Sequence, residues 1–178
     1  MTETKSKLSL SDAGVSYAQK VLDEMEKESD RATAILLGAE LDDMLGQILE
    51  KHLLPPRAKK DSGAIAKSFY ARIELTNRLG LIHPIFHHEL HLIKDVRNEF
   101  AHKKLGVTFE SPEVFALTSK LVFPKTADKL SKGRPELVAL LHQNSRERFI
   151  FSGAILLHQL TSLQERVGRI GISPLAFH

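Results

Sequence analysis

The sequence predicts an all-α protein, a compact bundle of five to seven helices in one domain spanning residues 1–178. Three observations carry this. Apolar residues return every three or four positions along nearly the whole chain, the period of a helix with one buried side. Capping and breaking residues stand at intervals of helix length. The one extended-looking stretch, "GVTFE" at 106–110, is short.

A flexible tail is expected over residues 1–10. Ser11 and Asp12 then cap a first helix that carries Val15, Ala18, Val21, Leu22 and Met25 on one side. A second helix is predicted from Asp30 to Leu53, with Ile35, Leu37, Leu41, Met44, Leu45, Ile48 and Leu49 as its apolar set. Pro55-Pro56 stops it, and residues 55–63 form a basic, polar loop. Ile65 to Leu79 reads as a third helix closed by Gly80, which suits a left-handed C-cap. Pro84 fits the first turn of a fourth helix, which Gly106 ends. Ser111-Pro112-Glu113 combines a capping hydroxyl, a pre-set φ and an acid at the positive end of the dipole, so a short helix runs from there to Leu121. Residues 122–134 read as a second basic loop. Pro135 opens a last helix or helix pair, with Phe149, Leu156 and Leu163 at seven-residue spacing beside Leu160 and Val167.

Composition narrows the function. Hydrophobic residues make up 42% and charged residues 26%, the balance of a folded soluble domain. The absence of cysteine excludes disulfides, thiolate zinc sites and cysteine nucleophiles. No apolar run has the length of a membrane span or a signal peptide, so the expected location is the cytoplasm. Residues 21–50 hold nine acidic and two basic residues, which leaves the rest of the chain about ten charges positive. Such polarity can orient a partner or a second copy of the chain. Asp42 and Asp43 have no obvious acid–base companion and are expected to be solvated or paired with Arg97 or Arg72.

The fourth helix carries the polar residues that draw notice. At 100° per residue, Phe86, Glu89, Leu90, Ile93, Val96, Arg97 and Phe100 share one face, while His91, Asp95, Asn98 and His102 line the other. Phe100 is expected in the core, with Arg97 bridging to a carboxylate of the acidic second helix. Asn98 and His102 would finish the helix end. His83, His87 and His91 follow one another at four-residue steps, with Asp95 one turn on. Two histidines so placed can share a metal ion, and His87, His91 and Asp95 would be its ligands. The zinc-protease pattern is broken, however, because Leu92 stands where a histidine is needed after His88-Glu89. The reading adopted is a solvated or interface cluster with no metal.

Longer stretches carry a resemblance. "SGAIAKSFYARIELTNRLGLI" at 62–82, "IKDVRNEFAHKK" at 93–104 and "TFESPEV" at 108–114 occur in an order that resembles the mannitol operon repressor family of bacteria. "ILLGAELDDMLGQIL" at 35–49 and "RERFIFSGAILLHQLTSLQER" at 146–166 fit the same pattern. The resemblance implies a compact helical bundle without a DNA-reading module, repressing transcription through another protein. Arg97 and His102 also fit the R-x4-H pattern of the HEPN superfamily (higher eukaryotes and prokaryotes nucleotide-binding), whose active members are dimeric ribonucleases. That resemblance implies Arg97 and His102 as a metal-independent catalytic pair supported by Asn98, with RNA as substrate. The expectation that follows is a homodimeric, repressor-like transcriptional regulator working by protein contact. Arg97, Asn98, Phe100, His102, His91 and Asp95 would serve structure or interface, with no cofactor and no direct sequence-specific DNA binding. The ribonuclease, or an inactive relative of one, is the alternative.

Overall fold

A computed structural model of the chain describes residues 20–21, 23–25, 27–55, 66–103, 106–130 and 144–171. The expected tail, most of the first helix, the loop at 56–63 and the helix start at Pro135 lie outside these residues. The fold is all-α. Among the described residues six helices follow in order: α1 (Asp30–His52), α2 (Phe69–Arg78), α3 (Pro84–His102), α4 (Pro112–Thr118), α5 (Phe123–Leu130) and α6 (Ser145–Arg166). A helical turn at 23–25 precedes them.

Local chemistry sets the helix ends. Ser29 Oγ accepts from Ala32 N at 3.2 Å to start α1, and Ser68 Oγ accepts from Ala71 N at 3.2 Å to start α2. That second cap places the start of α2 at Phe69, four residues after the predicted Ile65, since Ser68 leaves the helix geometry to serve it. Leu81 N then donates to Thr76 O and Gly80 N to Asn77 O, with Gly80 at φ 69°, so α2 closes in a Schellman turn. His83 Nδ1 accepts from Ile85 N at 3.2 Å, and Pro84 takes the first turn of α3.

Three expectations are corrected. α3 ends at His102, before Gly106, which instead turns the chain at φ 81°. Ser111 makes no cap bond to α4; its hydroxyl accepts from Thr108 N at 3.0 Å and closes the preceding turn. The basic loop expected over 122–134 is helical over Phe123–Leu130, because Phe123 and Pro124 are buried and a proline needs no N–H in a first turn.

The helix α1 is the hub, packed against α2, α3 and α6, and α3 packs in turn against α2, α4 and α6. Leu37, Leu41, Leu45 and Ile48 of α1 meet Leu90, Ile93, Val96 and Phe100 of α3, all fully buried. Each such side chain contributes about 1.5–3 kcal/mol by leaving water. The rings of Phe100, Phe109 and Phe149 stand 5.1 and 5.3 Å apart and join α3, the turn before α4, and α6. Two glycines inside helices permit close approach. A Cβ on Gly153 would meet the Leu37 side chain, with Cδ1 at 2.8 Å, and one on Gly38 would meet Arg97 Cγ at 2.8 Å.

Cations serve the exposed carbonyls of neighbouring helices. Arg31 of α1 donates to Phe100 O and, at 2.9 Å, to Lys103 O, which caps the end of α3. Lys51, at the other end of α1, donates to Gln164 O of α6 at 2.5 Å. Arg146 of α6 pairs with Asp30 at 2.7 Å and donates to the carbonyls of Met25 and Glu28. Arg72 pairs with Asp42 at 2.8 Å, one of the two partners the sequence offered for that carboxylate.

Candidate functional site

Polar chemistry on α3 falls into three places: its first half, its buried middle and its C-terminal end. In the first half, His87 and His91 lie one turn apart and face α2. There Glu74, also held on a regular helix, projects between them. Glu74 Oε1 is 2.8 Å from His87 Nε2 and 2.9 Å from His91 Nε2, and the two Nε2 atoms are 3.2 Å apart. The three side chains are each about a quarter exposed (28%, 22% and 26% for His87, His91 and Glu74), so solvent reaches them. The two imidazoles, His87 first, hold the Glu74 carboxyl below the usual carboxylate range. Tyr70 lies edge-on to His91 at 5.5 Å, and the Lys94 ammonium stands 5.9 Å from the centre of the Tyr70 ring.

This cluster differs from the one the sequence offered. Asp95 takes no part in it and pairs with the adjacent Lys94. His83 caps the helix, and His88 is exposed. The carboxylate is Glu74, thirteen residues before His87 and on another helix. Nothing in the spacing along α3 points to it; only the antiparallel return of α2 does. His91 is accordingly turned toward α2 rather than standing free in a polar stripe.

In the middle of α3, Glu89 is fully buried among apolar side chains. Its Oε1 accepts from Val122 N at 2.5 Å, which ties the connection between α4 and α5 to α3. Burial pushes the Glu89 carboxyl above the usual carboxylate range, against the pull of the Val122 N–H. The Ser152 hydroxyl of α6 and the Phe123 N–H also lie close enough to the Glu89 carboxyl to pull its pKa down.

At the C-terminal end, Phe100 is buried while Ala101, His102 and Lys103 are exposed. The stem of Arg97 lies over Gly38 of α1, and its Nη1 donates to Asn98 Oδ1 at 3.1 Å. The expected bridge from Arg97 to a carboxylate of α1 is absent among the described residues, because Asp42 is taken by Arg72 further along. No hydrogen bond joins Arg97 to His102 among the described residues. Nor do Asn98 and His102 finish the helix end. Arg31 does that from α1, and Lys103 adds ion pairs to Glu99 at 2.7 Å and Glu113 at 3.2 Å.

The chain superimposes on a chain of the X-ray structure of the MtlR–HPr complex from Escherichia coli, with a TM-score of 0.55. The fold is MtlR-like. The likeness covers 84% of this chain and 98% of that one at 15% identity, a level at which the fold alone is shared. No protein-family model matches the sequence, and no curated protein does. The likeness agrees in fold with the repressor resemblance read from the sequence, and it lends nothing to the HEPN pattern. No helix among the described residues is long and apolar enough to cross a membrane.

Proposed function

We propose that this chain is a repressor-like transcriptional regulator that acts by binding another protein rather than by reading DNA itself. The observation that carries the reading is the fold shared with a chain of the MtlR–HPr complex over nearly all of that chain. The role of α3 supports it. A recognition helix must present a free face to the major groove, whereas α3 packs against α1, α2, α4 and α6 so that none of its residues from 89 to 100 is fully exposed. Regulation through a protein partner asks only for an outer surface, which this bundle retains. The ribonuclease alternative has less behind it, since the Arg97 guanidinium is engaged by Asn98 and its stem by Gly38.

Calorimetric titration of the untagged chain with HPr tests the reading, beside mobility shifts on operator and random duplexes at two salt concentrations. Saturable binding to HPr without preference for operator DNA is the expected result. A strong operator preference by the chain alone would overturn the proposal. So would metal-independent cleavage of single-stranded RNA that His102→Ala abolishes. The expected homodimer is read from the same sample by light scattering.

A further inference from the structure

We propose that Glu74, His87 and His91 form a binding site for a divalent transition-metal ion of the zinc class, bridging α2 and α3. This stands apart from the partner-binding reading and does not depend on it. The three ligand atoms, one oxygen and two nitrogens, lie within 4.8 Å of one another. They form a triangle with edges of 2.8, 2.9 and 3.2 Å.

Hydrogens fill this triangle only with both rings donating to the one carboxylate oxygen. If both rings carry a hydrogen on Nε2, the two N–H groups converge on one oxygen and crowd each other across 3.2 Å. If only one does, the other ring turns a lone pair toward the carboxylate oxygen at under 3 Å. A cation resolves the conflict, because every atom then presents a lone pair to it. Nitrogens held about 2.0–2.1 Å from a tetrahedral zinc stand ~3.3 Å apart. The nitrogen separation of 3.2 Å is close to that value, while the two nitrogen–oxygen edges, at 2.8 and 2.9 Å, are hydrogen-bond distances that open by about half an ångström when the carboxylate turns to a tetrahedral ion.

The donor set narrows the ion. Two imidazoles with one carboxylate suit zinc, iron(II), cobalt or nickel, whereas magnesium and calcium take oxygen ligands. Helix geometry holds the set in place: the histidines are one turn apart on α3, and Glu74 is fixed on α2 by the packing of the two helices. Tyr70 braces the ring of His91 from the side. Partial exposure of the three side chains leaves room for water in the remaining positions. The ion would act as a clamp, joining a ten-residue helix to the longer one it packs on.

The test uses the untagged chain of residues 1–178 after chelator treatment, since a polyhistidine tag would bind the ion itself. Zinc is titrated calorimetrically, and cobalt is added separately while visible ligand-field bands are recorded. One ion per chain is expected, with cobalt bands of low coordination number. His87→Ala, His91→Ala and Glu74→Gln should each weaken zinc binding by more than about tenfold, while His88→Ala and His102→Ala leave it unchanged. Far-UV circular dichroism shows which variants are folded. Should a histidine variant fail to fold, Glu74→Gln decides, because it keeps the side-chain shape and removes the charge. Absence of zinc binding by the wild-type chain would overturn the proposal. So would binding that survives in Glu74→Gln and either histidine variant at full strength.

Discussion

The two ends of α3 are built from similar residues and do opposite things. The first half carries His87 and His91, and the last turns carry Arg97, Asn98 and His102. At the start, three side chains from two helices converge on a point between them. At the end, they diverge: Arg97 lies along Gly38, Asn98 takes one of its hydrogens, and His102 faces water. Convergence decides what can bind. A row of polar residues on one helix spreads along its axis, so a ligand shell needs a contribution from a second element, which Glu74 supplies only at the start.

The largest effect should come from Phe100→Ala, because Phe100 anchors the C-terminal end in the core beside Phe109. A loss of about 3–5 kcal/mol in urea unfolding is expected. A loss under about 1 kcal/mol would show that this end is not fold-holding. Next comes Arg31→Ala, which strips the cap from the carbonyls of Phe100 and Lys103. The expected cost is about 1–2 kcal/mol, with faster amide exchange confined to the last turn of α3.

Glu89→Gln, between the two ends, should raise stability at neutral pH by about 1 kcal/mol. The amide oxygen can still accept from Val122 N, and no charge is then buried. The sign follows from linkage. The folded-state pKa of Glu89 lies above its unfolded value, so the penalty is absent below the ordinary carboxylate range and complete above the raised pKa. The advantage of the glutamine should therefore vanish as the pH falls below that range in thermal melts. His102→Ala closes the series with a change within about 0.5 kcal/mol; a larger loss would mean that His102 has a structural task.

What was legible in the sequence was local. Pro84 at the head of α3 and Gly80 after α2 mark boundaries through bonds that span a few residues. The apolar positions of α1 were legible for the same reason, since period alone sorts buried from exposed: Leu37, Leu41, Met44, Leu45, Ile48 and Leu49 are buried, and Ile35 falls at the edge. The candidate site was half legible. His87 and His91 announce themselves by spacing, but the acid that meets them is Glu74 on α2, which no spacing along α3 reveals, while Asp95 pairs with Lys94. The Arg31 cap was equally hidden, its acceptors 69 and 72 residues away. A signal for the close contacts did exist. Gly38 and Gly153 sit inside helices where glycine costs about 1 kcal/mol against alanine, and such a residue marks a close approach by a neighbour.

Anomalous diffraction at the zinc edge, from crystals of the untagged chain grown with zinc, tests the contrast between the two ends most directly. One strong peak is predicted between α2 and α3, about 2 Å from the ligand atoms of Glu74, His87 and His91, with none beside Arg97 or His102. A peak at His102, or none at Glu74, would contradict the account.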